Sequence, residues 1–469
     1  MRIYSLFLIL IFVLVRHFSF SQEITAEQQE MMNKTVHSIN NYQNIPVDSI
    51  HFLYIEVYPN AFDREVRSID TVDITNWKHL ESISMRARRG ANSISILQFF
   101  KKLEPQLVKL LNIRKVYFFN LNLYKIPPTI FKIRELESLE VYANPIFNVK
   151  ELFDGLDSLK NLSDLSLREC RLTYIPNNIE NLKKLRKLNL SENRLKELPA
   201  SMRFLTELEV LDISQNRFVE FPYVVLELKN LKTLSLNFNS LTEEEKEIPL
   251  PAFNGNQEDY EREVEEYNEK LRKVREDKPE KTLPKRIKEL SSLEQLSITS
   301  SQLKNLPKEL QFLDKLESLS INSSLFSTEK DTNLFQILKN LNNLKHLHLG
   351  SNSFKQISNE ICNLTSLESL GLSNNQLTNI PKNIGNLKSL TSLDLGYNKL
   401  VSIRKSIGNL SSLKCLDLGY NQLTNLPKSI KKLQKLETLI LWENNISKEE
   451  QDKIRKWLPN TKIYFNLFD

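Results

Sequence analysis

Glycine is scarce in this chain, 9 residues of 469, and proline supplies only 17. A collagen-like chain and a Pro/Gly-rich disordered one are therefore excluded. Cysteine is rarer still. Cys170, Cys362 and Cys415 are odd in number, and no two show motif spacing. That excludes a disulfide framework and a CxxC zinc pattern. No excess of one charge exists either: 64 basic against 58 acidic residues leave a net charge of +6. Spread over this length, the bias gives no reason to invoke nucleic acid or a polybasic membrane anchor. The signatures GxxxxGK[ST], HExxH, GxSxG and GxGxxG are absent, and no cysteine has a plausible histidine partner. These absences point away from an enzyme and from any cofactor.

Long apolar runs are missing except at the start. Arg2 precedes the almost wholly apolar stretch Ile3 to Val15, and Ser19 and Ser21 then precede Gln22. This is the layout of a secretory signal peptide. At 1.5 Å per helical residue the stretch spans only about 20 Å, short for a bilayer core. The expectation is cleavage after residue 21 and export to the periplasm, cell surface or medium, with no integral membrane segment remaining. No cysteine follows the apolar run, which argues against a bacterial lipid anchor. An exported chain that ignores disulfides fits a bacterium better than an animal or plant surface.

What is abundant is leucine, 78 residues, and asparagine, 47. Length alone suggests about three ordinary domains, but the leucines are periodic and override that prior. "LNLSENRLKELP" starts at Leu188, "LDISQNRFVEFP" at Leu211, "LGLSNNQLTNIP" at Leu370 and "LDLGYNQLTNLP" at Leu416. The step is 23 residues. LxL spacing puts both leucines on one face of a short strand. One strand per unit, always entered from the same direction, builds a parallel sheet. Counting the first leucine as 0, an asparagine recurs at +5: Asn144, Asn193, Asn216, Asn239, Asn352, Asn375, Asn398, Asn421 and Asn444. A buried amide there can bond the backbone freed by the turn, and copies would stack as a ladder. Cys170, Ser301 and Ser324 stand in as small substitutes, and Leu121 marks a poorly formed early unit. The Leu-Pro step then turns the chain away from the strand. Ile384, Leu387 and Leu390 suggest a short helical or 3-10 return with its apolar side inward.

This pattern resembles the leucine-rich-repeat family in its 23-residue LxLxxNxLxxLPxxIxxL form, over thirteen units from Val116 onward, with degenerate units near Leu53 and Ile83. The resemblance implies an α/β solenoid, a horseshoe with a concave parallel β-sheet and convex short helices or 3-10 turns.

Departures from the period set expected boundaries. The signal peptide takes 1–21, an N-terminal cap 22–110, the array 111–446 and a C-terminal cap 447–469. Glu27 to Asn40 reads as helix and Phe52 to Tyr58 as strand. The step from Leu234 to Leu296 is 62 residues, so about 39 are inserted near 243–281. The insertion holds 14 acidic and 8 basic residues, and its middle, Gln257 to Asp277, reads as a charged helix. Units of 26 and 28 residues at Leu139 and Leu319 gain helix-like stretches at 149–159 and 332–341. Ser447 and Glu450 form a capping-box signature for a helix through Trp457, ended by Pro459.

If 0 and +2 are core, then −1, +1, +3 and +4 face solvent across the sheet. The late units carry Asp394 and Tyr397, Asp417 and Tyr420, then Trp442 and Glu443. With strands about 4.8 Å apart, Tyr397, Tyr420 and Trp442 are expected to form an aromatic row beside an exposed acidic one. Aromatic residues on a rigid sheet suit protein recognition, or stacking on a sugar. A second patch gathers Tyr117, Phe119, Tyr142 and Arg168. His346 and His348 share one strand face, but the neighbouring Ser318, Ser320, Ser369 and Gly371 offer no further metal ligand. The expected function is non-enzymatic binding of a protein or other macromolecule on the concave face. Alternatives are a carbohydrate or host-surface adhesin, or an intracellular signalling scaffold if the N-terminus is retained.

Overall fold

A computed structural model describes residues 51–57, 78–87, 101, 104–107, 109–146, 148–239, 241, 282–301, 303–324, 326 and 333–466. The expected signal peptide, the helix at 27–40 and the insertion lie outside the described residues. The chain divides into two compact units, residues 1–123 with 127–139, and residues 124–126 with 140–469.

In the first unit β1 (Phe52–Val57), β2 (Ser82–Ala87) and β3 (Lys115–Phe119) pair in parallel, with Leu53, Ile83 and Val116 in register. All three are buried, as is Phe118. The degenerate units therefore keep the strand while losing the 23-residue spacing. β4 (Ser138–Tyr142) crosses the division between the units.

The second unit continues with β5 (Asp164–Arg168), β6 (Lys187–Asn189), β7 (Val210–Asp212), β8 (Thr233–Ser235), β9 (Gln295–Ser297) and β10 (Ser318–Ser320). It ends with β11 (His346–His348), β12 (Ser369–Gly371), β13 (Ser392–Asp394), β14 (Cys415–Asp417), β15 (Thr438–Ile440) and β16 (Lys462–Tyr464). Each strand from β5 pairs in parallel with the next, leucine beside leucine except at the last, where Leu439 meets Ile463. The insertion does not interrupt the sheet: Leu234 pairs with Leu296, and Leu236 N–H donates to Ser297 O at 2.8 Å. The strand leucines are at most 1% exposed, and burying each contributes about 1.5–3 kcal/mol.

The return paths are 3-10 helices, many entered from proline, such as Ala200–Phe204 after Pro199 and Lys428–Lys432 after Pro427. Proline suits that entry because its fixed φ and missing donor end the strand. The longer units place α-helices there, α1 (Val149–Leu156) and α2 (Leu334–Leu338), both shorter than the sequence suggests. α3 (Lys448–Trp457) closes the array, with Ser447 Oγ accepting from Glu450 N–H at 3.3 Å. No described helix is long and apolar enough to cross a membrane.

The asparagine ladder is present. Asn398 Nδ2 donates to Leu372 O, Leu395 O and Gly396 O, and its Oδ1 accepts from Leu377 N–H. Asn193, Asn375 and Asn421 repeat the pattern. Cys170 Sγ and Ser301 Oγ reach the carbonyls of Val141 and Leu236 in its place. Ser324 does not: its hydroxyl is buried without a hydrogen-bond partner among the described residues.

The turn needed to aim this asparagine inward was not legible from periodicity. The residue before it, at +4, adopts left-handed backbone in unit after unit, with φ running from 50° at Glu443 to 58° at Glu192. None of these residues is glycine.

Candidate functional site

The sheet face of the second unit is built from the residues between and after the strand leucines. At its C-terminal end, Asp394 pairs in register with Asp417. The next residues on that side are Gly396 and Gly419, then Tyr397 and Tyr420 in left-handed turns. The two tyrosine rings stack with centroids 4.1 Å apart and planes 9° from parallel. A hydrogen bond joins the hydroxyls. Burial, and then that bond, push the Tyr397 hydroxyl up to about 12.

Trp442 departs from the expected row. It lies at +3, in line with Gly396 and Gly419, and Glu443 takes the +4 place beside Tyr420. The indole leans over Gly419: a Cβ there would lie 3.1 Å from Trp442 Cδ1 and 3.2 Å from Asp417 Oδ1. A Cβ on Gly396 would meet the carboxylates of both Asp417, at 3.3 Å, and Asp394, at 3.4 Å. The two glycines are thus covered by neighbouring side chains. The two carboxylates and the indole fill the space above them, and the tyrosine stack follows at the next position of each turn.

The acidic residues are not the exposed row that alternation suggests. Each is half-buried and bends back on its own turn, Asp394 Oδ1 accepting from Gly396 N–H at 3.0 Å and Asp417 Oδ1 from Gly419 N–H at 2.8 Å. The strand ends here, and a short side chain at +1 reaches the amide that the sheet leaves free. Burial pushes Asp417 up to about 6, opposed by the Gly419 bond and reinforced by Asp394. Asp394 is raised by burial too, against bonds from Ser373 and Gly396. The Asp-x-Gly spacing in both LDLGY repeats was the available signal for this cap.

The second expected patch is distributed over both units. In the first, Tyr117 stacks on Phe119 with centroids 6.1 Å apart. In the second, the Arg168 guanidinium sits 5.0 Å from the Tyr142 ring centroid and donates through Nε to Glu192 at 2.9 Å. Its positive charge also bears on Asp212, whose carboxyl is raised by burial and lowered by Ser214 and Arg168. Glu192 and Asp212 were not singled out in the sequence, because the first lies in the turn column and the second reads as one more strand residue.

His346 and His348 flank Leu347 on β11. His348 leans over the next strand, its Nδ1 2.7 Å from where a Gly371 Cβ would stand, and burial, then His346, lower its pKa. Among the described residues no three His, Cys, Asp or Glu side chains gather as a metal site.

Comparison with known proteins agrees with this geometry. The sequence profile of a leucine-rich repeat region matches residues 352–458, and that of a leucine rich repeat matches 160–218. The chain is a leucine-rich-repeat protein. No curated protein matches it. A leucine-rich-repeat protein of Leptospira interrogans is 27% identical, with a TM-score of 0.62 over 92% of this chain and 99% of that one. An internalin of Listeria monocytogenes is 20% identical, with a TM-score of 0.57 over 84% of this chain and 96% of that one. A chain of the Toll–Spätzle complex of Drosophila is 18% identical, with a TM-score of 0.53 over 87% and 56%. The latter two are similar in fold alone. In this leucine-rich-repeat protein, the polar middle of the sheet face, Ser297, Thr299, Ser320 and Asn322, is occupied by hydroxyl and amide bonds within the face.

Proposed function

We propose that the protein is exported and binds another protein through the sheet face of its C-terminal repeats, around Tyr397, Tyr420, Trp442, Asp394, Asp417 and Glu443. One observation carries the reading. Tyr397 and Tyr420 hold left-handed backbone, a conformation bulky residues seldom adopt. Elsewhere in the second unit the same turn is made by Ala143, Glu169, Glu192, Gln215, Phe238, Ser300, Ser323, Ser351 and Asn374, one aromatic among nine, so the repeat itself asks for no aromatic. Two stacked rings and an adjacent indole on a preformed surface supply contact area at low ordering cost, as binding anchors require. The patch at Tyr142 and Arg168, and separately that at Tyr117 and Phe119, are further candidate contact surfaces, each within its own unit. The apolar stretch at Ile3 to Val15 supports export.

The test is a variant carrying Tyr397→Ser, Tyr420→Ser and Trp442→Ser. A partner captured by the native chain should be lost, since each central aromatic anchor contributes about 2 kcal/mol or more, while folding is kept. A variant that folds and binds as before overturns the assignment. Mass analysis of the secreted chain should find Gln22 at its N-terminus. Retention of Met1 overturns export and favours a signalling scaffold.

A further inference from the structure

We infer that the last three return paths form a basic face that docks on an anionic lipid surface, leaving the sheet face of the same repeats open to the protein partner.

The placement of charge matters here, not the mild net charge of the chain. Residues 381–390, 404–413 and 427–436 hold eight Lys or Arg and no Asp or Glu. Earlier returns of the second unit mix the signs: 176–185, 199–208, 222–231, 284–293 and 307–316 each carry at least one acid. Where such returns meet, they pair, Arg286 with Glu227 at 3.1 Å and Lys229 with Glu289 at 2.9 Å. The last three have no acid to pair with. Lys382, Lys405 and Lys428 repeat at +12, one on each return, and Lys431, Lys432 and Lys435 extend the field on the final one. All six are exposed. Lys388 and Arg404 donate to carbonyls of neighbouring returns, Asn409 O at 2.7 Å and Ile380 O at 3.0 Å, which leaves their charges uncompensated. The bordering acids are engaged elsewhere. Asp394 and Asp417 cap turns on the sheet side, Glu437 pairs with Lys414, and Glu449, Glu450 and Asp452 pair with lysines of α3.

Packing concentrates this charge. A Cβ on Gly385 would strike Ser406 O, and one on Gly408 would strike Ser429 O, so these returns approach backbone to backbone. Like charges held on elements this close repel each other, and an apposed anionic surface relieves the repulsion. Three features select lipid headgroups among anions. The lysines stand outside the buried Ile384, Ile407 and Ile430, on the far side of the core from the strands, so they present a face and not a pocket. Seven of the eight cations are lysine, a hydrated point charge on a flexible stem, without the planar fork that arginine offers to a single phosphate. The three returns contain no aromatic residue, so nothing on them can stack a nucleic-acid base. A cluster of about four to eight such cations is what anionic headgroups attract.

The experiment measures co-sedimentation of the full chain with vesicles, either phosphatidylcholine alone or an equal mixture of phosphatidylcholine and phosphatidylglycerol. The native chain is expected to bind the mixed vesicles and not the neutral ones, and added salt should release it. A variant carrying Lys405→Gln, Lys428→Gln, Lys431→Gln and Lys432→Gln should bind the mixed vesicles at least about tenfold more weakly. These side chains are exposed on returns without an acid, so the variant should melt no lower than the native chain. The control removes four cations from the turns of earlier repeats, Arg171→Gln, Arg194→Gln, Lys196→Gln and Arg217→Gln, and should leave vesicle binding unchanged. Native-like binding by the lysine variant, equal loss in the control, or equal binding to neutral vesicles overturns the inference. So does binding to an oligothymidylate without binding to the mixed vesicles, which would make the face a nucleic-acid surface. The aromatic triple variant should bind the vesicles as the native chain does, so the lipid face and the partner surface fail separately.

Discussion

Asn398 joins two repeats through four hydrogen bonds, three donated to carbonyls and one accepted from Leu377 N–H. Leucine at this place would leave those backbone groups buried and unpaired, so Asn398→Leu should lower stability by about 1–3 kcal/mol. Asn379, exposed beside Thr378, should tolerate alanine with little change. Equal melting shifts would remove the ladder from the account. Asp417 leads to a pH-dependent prediction. Its carboxyl titrates near about 6 in the folded chain, against about 3.9 unfolded. The folded state therefore holds the proton more tightly. That contribution is complete below the unfolded value and is lost as pH rises through about 6. Asp417→Asn should accordingly stabilise the protein at pH 8 by about 1–2 kcal/mol, with the gain fading towards pH 4. Denaturant midpoints at the two pH values check it, and a gain independent of pH would refute the assignment. The aspartates were legible in the sequence as sheet-face residues, but not as turn caps. Alternation tells which side a residue takes, not where its side chain bends once the strand ends.

At the scale of elements, the strands and their register were legible, because LxL spacing repeats with the unit and permits no slip without exposing leucine. The return paths were less so. Spacings of three and four leave a 3-10 turn and an α-helix open, and neighbouring repeats decide between them. α1 and α2 form where the unit is longer, and each is shorter than its apolar pattern suggests. The packing of successive returns also demands small residues that periodicity does not explain. A Cβ on Gly408 would lie 2.2 Å from Ser429 O in the next return path. Backbone cannot yield as a side-chain tip does, so Gly408→Ala should cost about 1–3 kcal/mol. Thermal unfolding of the single variant measures it, and an unchanged midpoint would show that the stack is looser than drawn.

For the whole molecule, the pairing of β8 with β9 carries the sheet on from one side of the insertion point to the other. Leu234 and Leu296 meet as any adjacent repeats do, despite 62 residues between them. Joining Thr242 to Thr282 restores the repeat spacing within a residue or so. The product should be soluble and unfold cooperatively, since each repeat is stabilised by its neighbours. Aggregation, or loss of circular-dichroism signal, would show that the insertion covers core.

The sequence by itself determined the architecture: the period, the buried leucines, the asparagine ladder and the C-terminal helix cap. Each follows from local spacing, and a dozen copies remove the ambiguity of one. The tertiary structure alone decided the site. It laid the Trp442 indole over Gly419, put Tyr397 and Tyr420 into left-handed turns and bent Asp394 and Asp417 back onto the amides of Gly396 and Gly419. It also set Arg168 between Tyr142 and Glu192. These arrangements depend on turns and on neighbours 23 or more residues away, and a hydrophobic period carries no information about either.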